Sequence, residues 1–222
     1  MKLGILFSGG KDGMYATYLA KKDGYKISCL ISIFSENKDS YMFHTPNIEK
    51  VKMQAKVMNV PLIIIKTKGD KERELLDLEK AIRKAVKKYD IEGIVSGAIE
   101  SIYQSSRIQK ICNKLKIECF NPLWQKNQFE LLKELIKNKF KIIIVGVFAY
   151  PFDEKWLGRK IDNNFIKDIK LLNDKYSISP AGEGGEFESF VLNCPLFKRK
   201  LKVIDYKDFG NRNSWRRDIE LE

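Results

Sequence analysis

Apolar residues fall along this chain in two alternating rhythms. Leu3–Phe7, Ile27–Ile33, Leu62–Ile65 and Ile91–Gly97 are short, nearly continuous apolar runs, the pattern of strands buried on both faces. Between them the apolar positions recur every three to four residues. This spacing predicts helices over Asp12–Lys22, Asn47–Met58 (Val51, Ala55 and Met58 on one face), Lys71–Lys88 (Leu75, Leu78, Ile82, Ala85) and Ser101–Leu115 (Ile108, Ile111, Cys112, Leu115). Strand and helix in strict alternation predict an α/β fold with a doubly wound, mostly parallel sheet covered by helices on both faces. The rhythm changes at Asn121-Pro122-Leu123-Trp124, where Pro122 interrupts any regular element. Beyond it come a helix over Phe129–Asn138, a strand over Lys141–Phe148, a helix around Asn163–Asn173, and strands over Phe187–Leu192 and Leu201–Tyr206. These predict a smaller C-terminal α+β domain, so the expected division is residues 1–120 and 121–222, with a soft boundary.

Composition narrows the class. With 222 residues and 44% hydrophobic content the chain can bury a substantial core. No apolar run approaches the length of a membrane span, and Met1 leads at once into the first strand without a signal-peptide pattern, so a cytoplasmic protein with no membrane partner is expected. Cys29, Cys112, Cys119 and Cys194 are scattered with no C-x-x-C pair, and His44 is the single histidine, which argues against a Cys/His zinc site and against a disulfide framework. The net charge of +12 invites an acidic protein partner or nucleic acid. Lysines alternating with glutamates along the helices read equally well as solvated faces. The densest basic patch, Lys198, Arg199, Lys200 and Lys202 followed by Arg212, Arg216 and Arg217, is either a docking surface or another solvated face. Self-association into a homo-oligomer is compatible with the sequence.

Four segments carry chemistry. The first is Ser8-Gly9-Gly10-Lys11-Asp12-Gly13, lying directly between the first strand and the first helix. Gly9 and Gly10 allow a tight turn with converging N–H groups, the helix adds the positive end of its dipole, Lys11 a full charge and Ser8 a hydroxyl. The natural guest is phosphate or pyrophosphate. Gly97, at the end of another strand, is placed to line the same crevice where the strand order reverses. The second segment is Tyr103-Gln104-Ser105-Ser106-Arg107, where Tyr103 and Arg107 share one helix face; Arg107 suits a phosphate and Tyr103 stacking or a hydrogen bond. The third, Gly182-Glu183-Gly184-Gly185-Glu186-Phe187-Glu188, puts Glu186 and Glu188 on one face of a strand and Phe187 on the other. Its carboxylates suit a metal, an ammonium group or a cationic substrate, or are solvent-facing charges at a hairpin. The fourth is the loop Ser40–Asn47, with His44 among aromatic neighbours.

The first loop resembles the S-G-G-x-D-S pyrophosphate loop of the PP-loop ATP pyrophosphatases, with Gly13 in place of the final serine. SGGKDG, SYMFHTPN, GAIESIYQSSR with NPLW, and SPAGEGGEFESFVLNCPLF, in that order from Ser8 to Phe197, together resemble the diphthine–ammonia ligase family. Phe187 and Ser189 stand where Tyr and Thr are common. The resemblance implies a Rossmann-like fold of the HUP class and ATP-dependent amidation of diphthine on translation elongation factor two. Cleavage of ATP to AMP and pyrophosphate would proceed through an acyl-adenylate. On that reading Ser8, Gly9, Gly10, Lys11, Asp12 and Gly13 hold pyrophosphate, with Gly97 and Arg107 completing the nucleotide site and Asp12 the ligand for Mg²⁺. Lys11, Asp12 and Glu186 are the expected catalytic residues. His44, Tyr103, Gln104, Trp124, Glu183, Gly184, Gly185, Glu186 and Glu188 are the expected substrate contacts. The absence of a glutaminase-like segment makes free ammonium the expected nitrogen source. Two rival readings are a PP-loop enzyme that modifies tRNA and an ATP-binding regulatory module without turnover.

Overall fold

Leu3, Ile5, Leu30, Ile94 and Val95 are fully buried, as strands covered on both faces require. They belong to β1 (Lys2–Leu6), β2 (Lys26–Ser35) and β4 (Gly93–Val95), which with β3 (Leu62–Thr67) and β5 (Glu118–Phe120) build the sheet of the first unit. The computed structural model describes residues 1–35, 50–68 and 71–222. Ser40–Asn47, and with it His44, lies outside the described residues. Among those described, the strands run in the order β3-β2-β1-β4-β5 and every pairing is parallel.

The crossovers are α1 (Lys11–Lys22), α2 (Val51–Met58), α3 (Lys71–Tyr89) and α4 (Ile102–Leu115). The chain winds outward from β1 to β3, then returns to the other side of β1 as β4. With right-handed crossovers this reversal sends α1 and α2 to one face and α3 and α4 to the other. The core agrees: Cys29, Ile31 and Ile33 of β2 pack with Leu78, Ile82 and Ala85 of α3 and with Ile108, Ile111 and Cys112 of α4. The unit is therefore a doubly wound, Rossmann-like α/β sheet. Strand β5 spans three residues, too few to show a hydrophobic period, and the apolar pattern does not reveal it.

The chain divides into two units, Met1–Trp124 and Gln125–Glu222. The second contains α5 (Gln128–Lys137), β6 (Lys141–Val147), α6 (Asn163–Tyr176), β7 (Phe187–Asn193), β8 (Val203–Asn211) and β9 (Ser214–Leu221). Its sheet is antiparallel in the order β7-β6-β9-β8, so the unit is α+β. Side-chain caps start both helices: Asn127 accepts from the Glu130 N–H at 3.1 Å and Asp162 from that of Phe165 at 2.9 Å. Phe152, Trp156, Phe165 and Phe187 meet edge to face, with ring centroids 4.9 to 6.0 Å apart.

The strand read at Leu201–Tyr206 runs on to Asn211 as β8, and β9 behind it is absent from the apolar pattern. Charges disguise β9. Trp215, Arg217, Ile219 and Leu221 share one face, where Arg217 is paired with Asp208 of β8 through two 2.7 Å hydrogen bonds. No helix among the described residues is long and apolar enough to cross a membrane.

Candidate functional site

The loop after β1 is fastened from three sides. The Phe7 N–H donates to the Ile31 carbonyl at 2.9 Å, and the buried Ser32 hydroxyl to the Phe7 carbonyl at 2.6 Å. Gln54 of α2, fully buried, donates its amide to the Gly9 carbonyl at 3.0 Å. Gly9 takes a left-handed φ of 85°, a torsion that favours glycine. Gly10 then caps α1 in an extended conformation without a side chain over the helix end. An α-helix N-terminus left open in this way turns its first N–H groups outward, which is an anion site.

Lys11 and Asp12 form the charged part of this loop. Lys11 is only 3% exposed, and its Nζ lies 2.7 Å from Asp12 Oδ2. Asp12 Oδ1 is buried with no hydrogen-bond partner. Such an oxygen fits one inner ligand of a hard cation, which takes its remaining ligands from phosphate oxygens and water. No group of three or more His, Cys, Asp or Glu placed to hold a metal occurs among the described residues.

Gly97, after β4, closes against the same point. A Cβ there would fall 2.5 Å from the Gly13 nitrogen and 2.7 Å from the Asp12 carbonyl carbon. The loops after β1 and β4 therefore touch at the place where the strand order reverses, the ligand position of an open parallel sheet. At Gly13 a Cβ would meet the Leu6 carbonyl oxygen at 3.3 Å, a tight contact but far from the overlap at Gly97. Ser8 is exposed at the rim.

Helix α4 begins on Ser101, whose hydroxyl accepts from the Gln104 N–H at 3.3 Å. Tyr103 and Arg107 meet, as their spacing predicts, but they engage each other. The Arg107 guanidinium lies 3.4 Å from the Tyr103 ring centroid and donates to the Tyr103 carbonyl at 3.3 Å. The Arg107 Nε is buried without a hydrogen bond. Trp124 closes the unit and is 37% exposed.

In the second unit, Gly182 (φ 74°) and Gly185 (φ 81°) shape the turn before β7. Gly184 admits a carboxylate, since a Cβ there would fall 2.8 Å from Glu186 Oε1. That oxygen accepts the Ser179 N–H at 2.8 Å. Gln128 braces the turn, its Oε1 accepting from the Ala181 N–H at 2.8 Å and the Ser179 hydroxyl at 3.1 Å. Glu183 sits half-buried at the same turn.

Phe187, the first residue of β7, enters the aromatic core, and strand alternation turns Glu188 the opposite way, while Glu186 lies in the bend just before the strand. Glu188 of β7 and Arg216 of β9 both pair with Gly146 of β6, so the two side chains flank a position that has none. The Arg216 guanidinium lies 4.9 Å from the Phe148 ring centroid, and the Phe148 N–H donates to the Glu186 carbonyl at 2.8 Å. Burial pushes the Glu188 carboxyl up to about 8, against the opposing pull of Arg216. The Oε2 atoms of Glu186 and Glu188 are both buried with no hydrogen-bond partner.

A model of the diphthamide synthase N-terminal domain matches residues 1–119 and one of the C-terminal domain residues 127–220. The chain belongs to the diphthamide synthase family. The diphthine–ammonia ligases of Bos taurus and Homo sapiens are each 34% identical to it over 225 residues, covering 91% of this chain and 83% of theirs. Its curated relatives are ligases, and this member of the diphthamide synthase family is an enzyme of that kind. A solved structure from Methanocaldococcus jannaschii, described as a predicted subunit of tRNA methyltransferase, aligns with TM-score 0.43 and 17% identity over 88% of this chain and 98% of that one.

Several residues of these two regions, one in each unit, escape local reading. Gln54 leaves a trace, an amide set within the buried Val51–Ala55–Met58 stripe of α2. Arg216 and Phe148 leave none, because only the register of β6 with β7 and β9 brings them to Glu188. Two members of the basic patch also turn inward: Arg216 to Phe148 and Arg217 to Asp208, while Lys198, Arg199, Lys200 and Lys202 stay exposed.

The raised Glu188 carboxyl has a sign in stability. Its folded value lies above the ordinary 4.5, so its contribution is full below that value and is lost as pH rises through about 8. Glu188→Gln removes the loss, which at 1.36 kcal/mol per unit is at most about 5 kcal/mol. Thermal melts should show the variant more stable than the parent at pH 9 and equal to it near pH 4. Equal melting at both pH values would contradict the burial argument.

Proposed function

We propose that this enzyme amidates the carboxylate of diphthine on translation elongation factor two, with ammonium as nitrogen donor and an acyl-adenylate as intermediate, releasing AMP and pyrophosphate. Membership of the diphthamide synthase family supports a ligase that consumes ATP in diphthamide synthesis. The observation that carries the finer reading is the Gly9-Gly10-Lys11-Asp12 loop at the strand reversal, with its open helix end and its unpartnered Asp12 Oδ1. A carboxylate is a poor acyl donor because attack on it would have to expel oxide. Joining it to AMP supplies a leaving group.

On this reading the first unit binds ATP. The N–H groups around Gly9 to Gly13, with Lys11, take the charge of the departing pyrophosphate, and catalysis there is positioning and electrostatic stabilisation. Asp12 would hold Mg²⁺ through Oδ1, and the ion when bound would screen phosphate charge. Gly97 and Arg107 complete the nucleotide side, while Tyr103, Gln104 and Trp124 are proposed contacts for the substrate. In the second unit Glu183, Glu186 and Glu188 attract the cationic groups of the reaction, the trimethylammonium of diphthine or the ammonium. The exposed lysines suit an acidic face of the factor.

The test is incubation with ATP, ammonium and either diphthine-bearing factor or tRNA, following AMP. AMP formed only with the factor is the expected result. AMP formed only with tRNA would make the chain a tRNA-modifying enzyme, and AMP with neither would make it a nucleotide-binding regulator.

A further inference from the structure

We propose that Glu188 takes the proton from the incoming ammonium and that Arg216, outside the glycine-rich turn, is the positioning residue that sets Glu188 for this task. The inference rests on the ligase reading above and assigns the nitrogen step to named atoms.

Ammonium has no lone pair, so it cannot attack an acyl group until it loses a proton. A base is needed, together with acceptors that hold the N–H groups meanwhile. Two buried carboxylate oxygens without partners, Glu186 Oε2 and Glu188 Oε2, belong to residues two apart in the chain, the first in the bend just before β7 and the second within it. They are not equivalent. Glu186 is tied through Oε1 to the Ser179 N–H, a bond that fixes its direction. Glu188 has no such anchor among the bonds seen at Glu186, and burial pushes its carboxyl up to about 8, where a carboxylate becomes a better-matched base near neutral pH.

The charge acting on Glu188 from the neighbouring strands is Arg216 of β9; Gly146 of β6 between them contributes none, and Glu186 stands in the bend before β7. Arg216 lies over the Phe148 ring, which keeps its positive charge beside Glu188 without occupying Oε2. The charge pulls the Glu188 carboxyl down from the value burial alone would give. Arg216 thereby sets how much of Glu188 is ionised.

The Glu188 carboxylate accepts one proton from ammonium, leaving ammonia. The nitrogen lone pair forms the C–N bond at the adenylate carbonyl carbon. The bond from that carbon to the AMP oxygen breaks, AMP leaves with the electron pair, and the nitrogen gives its second proton to water.

Hydroxylamine separates this role from a structural one, because it is uncharged at neutral pH and attacks without prior deprotonation. With ATP and diphthine-bearing factor, Glu188→Gln should lose roughly 10²–10⁴-fold in amide formation from ammonium. With the diphthine-bearing factor saturating, so that any weaker hold on its trimethylammonium does not limit the rate, hydroxamate formation from hydroxylamine should stay within a few-fold of the parent. The parent's rate with ammonium should rise with pH through about 8, and Arg216→Met should move that rise to higher pH while Arg216→Lys restores it. Equal loss with both nucleophiles, or no loss with either, would overturn the proposal, as would an unshifted pH profile in Arg216→Met. If the parent forms no factor-dependent AMP, the ligase reading itself fails and this assignment falls with it.

Discussion

Lys11→Ala should reduce ATP-dependent pyrophosphate release by about 10²–10³-fold, the effect of removing one preorganised donor from a developing negative charge. The side chain is 3% exposed and its ammonium lies 2.7 Å from Asp12 Oδ2. Truncation therefore has a second consequence: it leaves the half-buried Asp12 carboxylate without its cation, and removing one partner of a buried pair costs more than the pair contributes. The melting temperature should fall together with the activity. The two effects separate kinetically, since saturating ATP restores a merely weakened fold by mass action but not a missing donor. Normal pyrophosphate release at saturating ATP would remove Lys11 from the phosphate site.

Gly97→Ala should both destabilise the first unit and weaken nucleotide binding. The added methyl would stand 2.5 Å from the Gly13 nitrogen, 2.7 Å from the Asp12 carbonyl carbon and 3.0 Å from the Gly13 Cα. All three are backbone atoms, so nothing can swing aside. Either the loop after β4 or the first turn of α1 must shift. Overpacking of this kind costs about 1–3 kcal/mol, or several degrees of melting temperature in a chain this long. ATP affinity should fall tenfold or more, because the displaced turn is the one that presents the N–H groups. Gly13→Ser provides the contrast. Its Cβ meets a single atom, the Leu6 carbonyl oxygen at 3.3 Å, a tight contact that a small shift relieves, so it should cost less than Gly97→Ala in both measurements. If the two variants bind ATP alike, contact between the loops does not shape the site.

The residues of the two regions differ in how far local sequence reveals them. Gly9, Gly10 and Lys11 announce an anion site because strand, turn and helix follow one another within a dozen residues, and their geometry is a local matter of torsions and helix ends. The meeting of Tyr103 with Arg107 is legible for the same reason, as one helical turn. The two-residue period of a strand likewise turns Phe187 and Glu188 to opposite faces, but β7 begins only at Phe187, so Glu186 stays in the bend before it. What these residues do to one another was less legible: the Arg107 guanidinium lies on Tyr103, and Glu186 spends one oxygen on Ser179.

The α/β alternation, the phosphate-type loop and the acidic turn thus follow from short-range rules that covalent geometry imposes on any chain. The closure of Gly97 on Gly13, the grip of Gln54 on Gly9 and the row of Glu188, Gly146 and Arg216 depend instead on sheet order and strand register. Those are decided by packing between segments tens of residues apart, where burying one face selects the pairing. The same packing hid β9, whose alternation is carried partly by an arginine made acceptable by Asp208. A charged residue looks like surface until the partner that neutralises it is brought beside it.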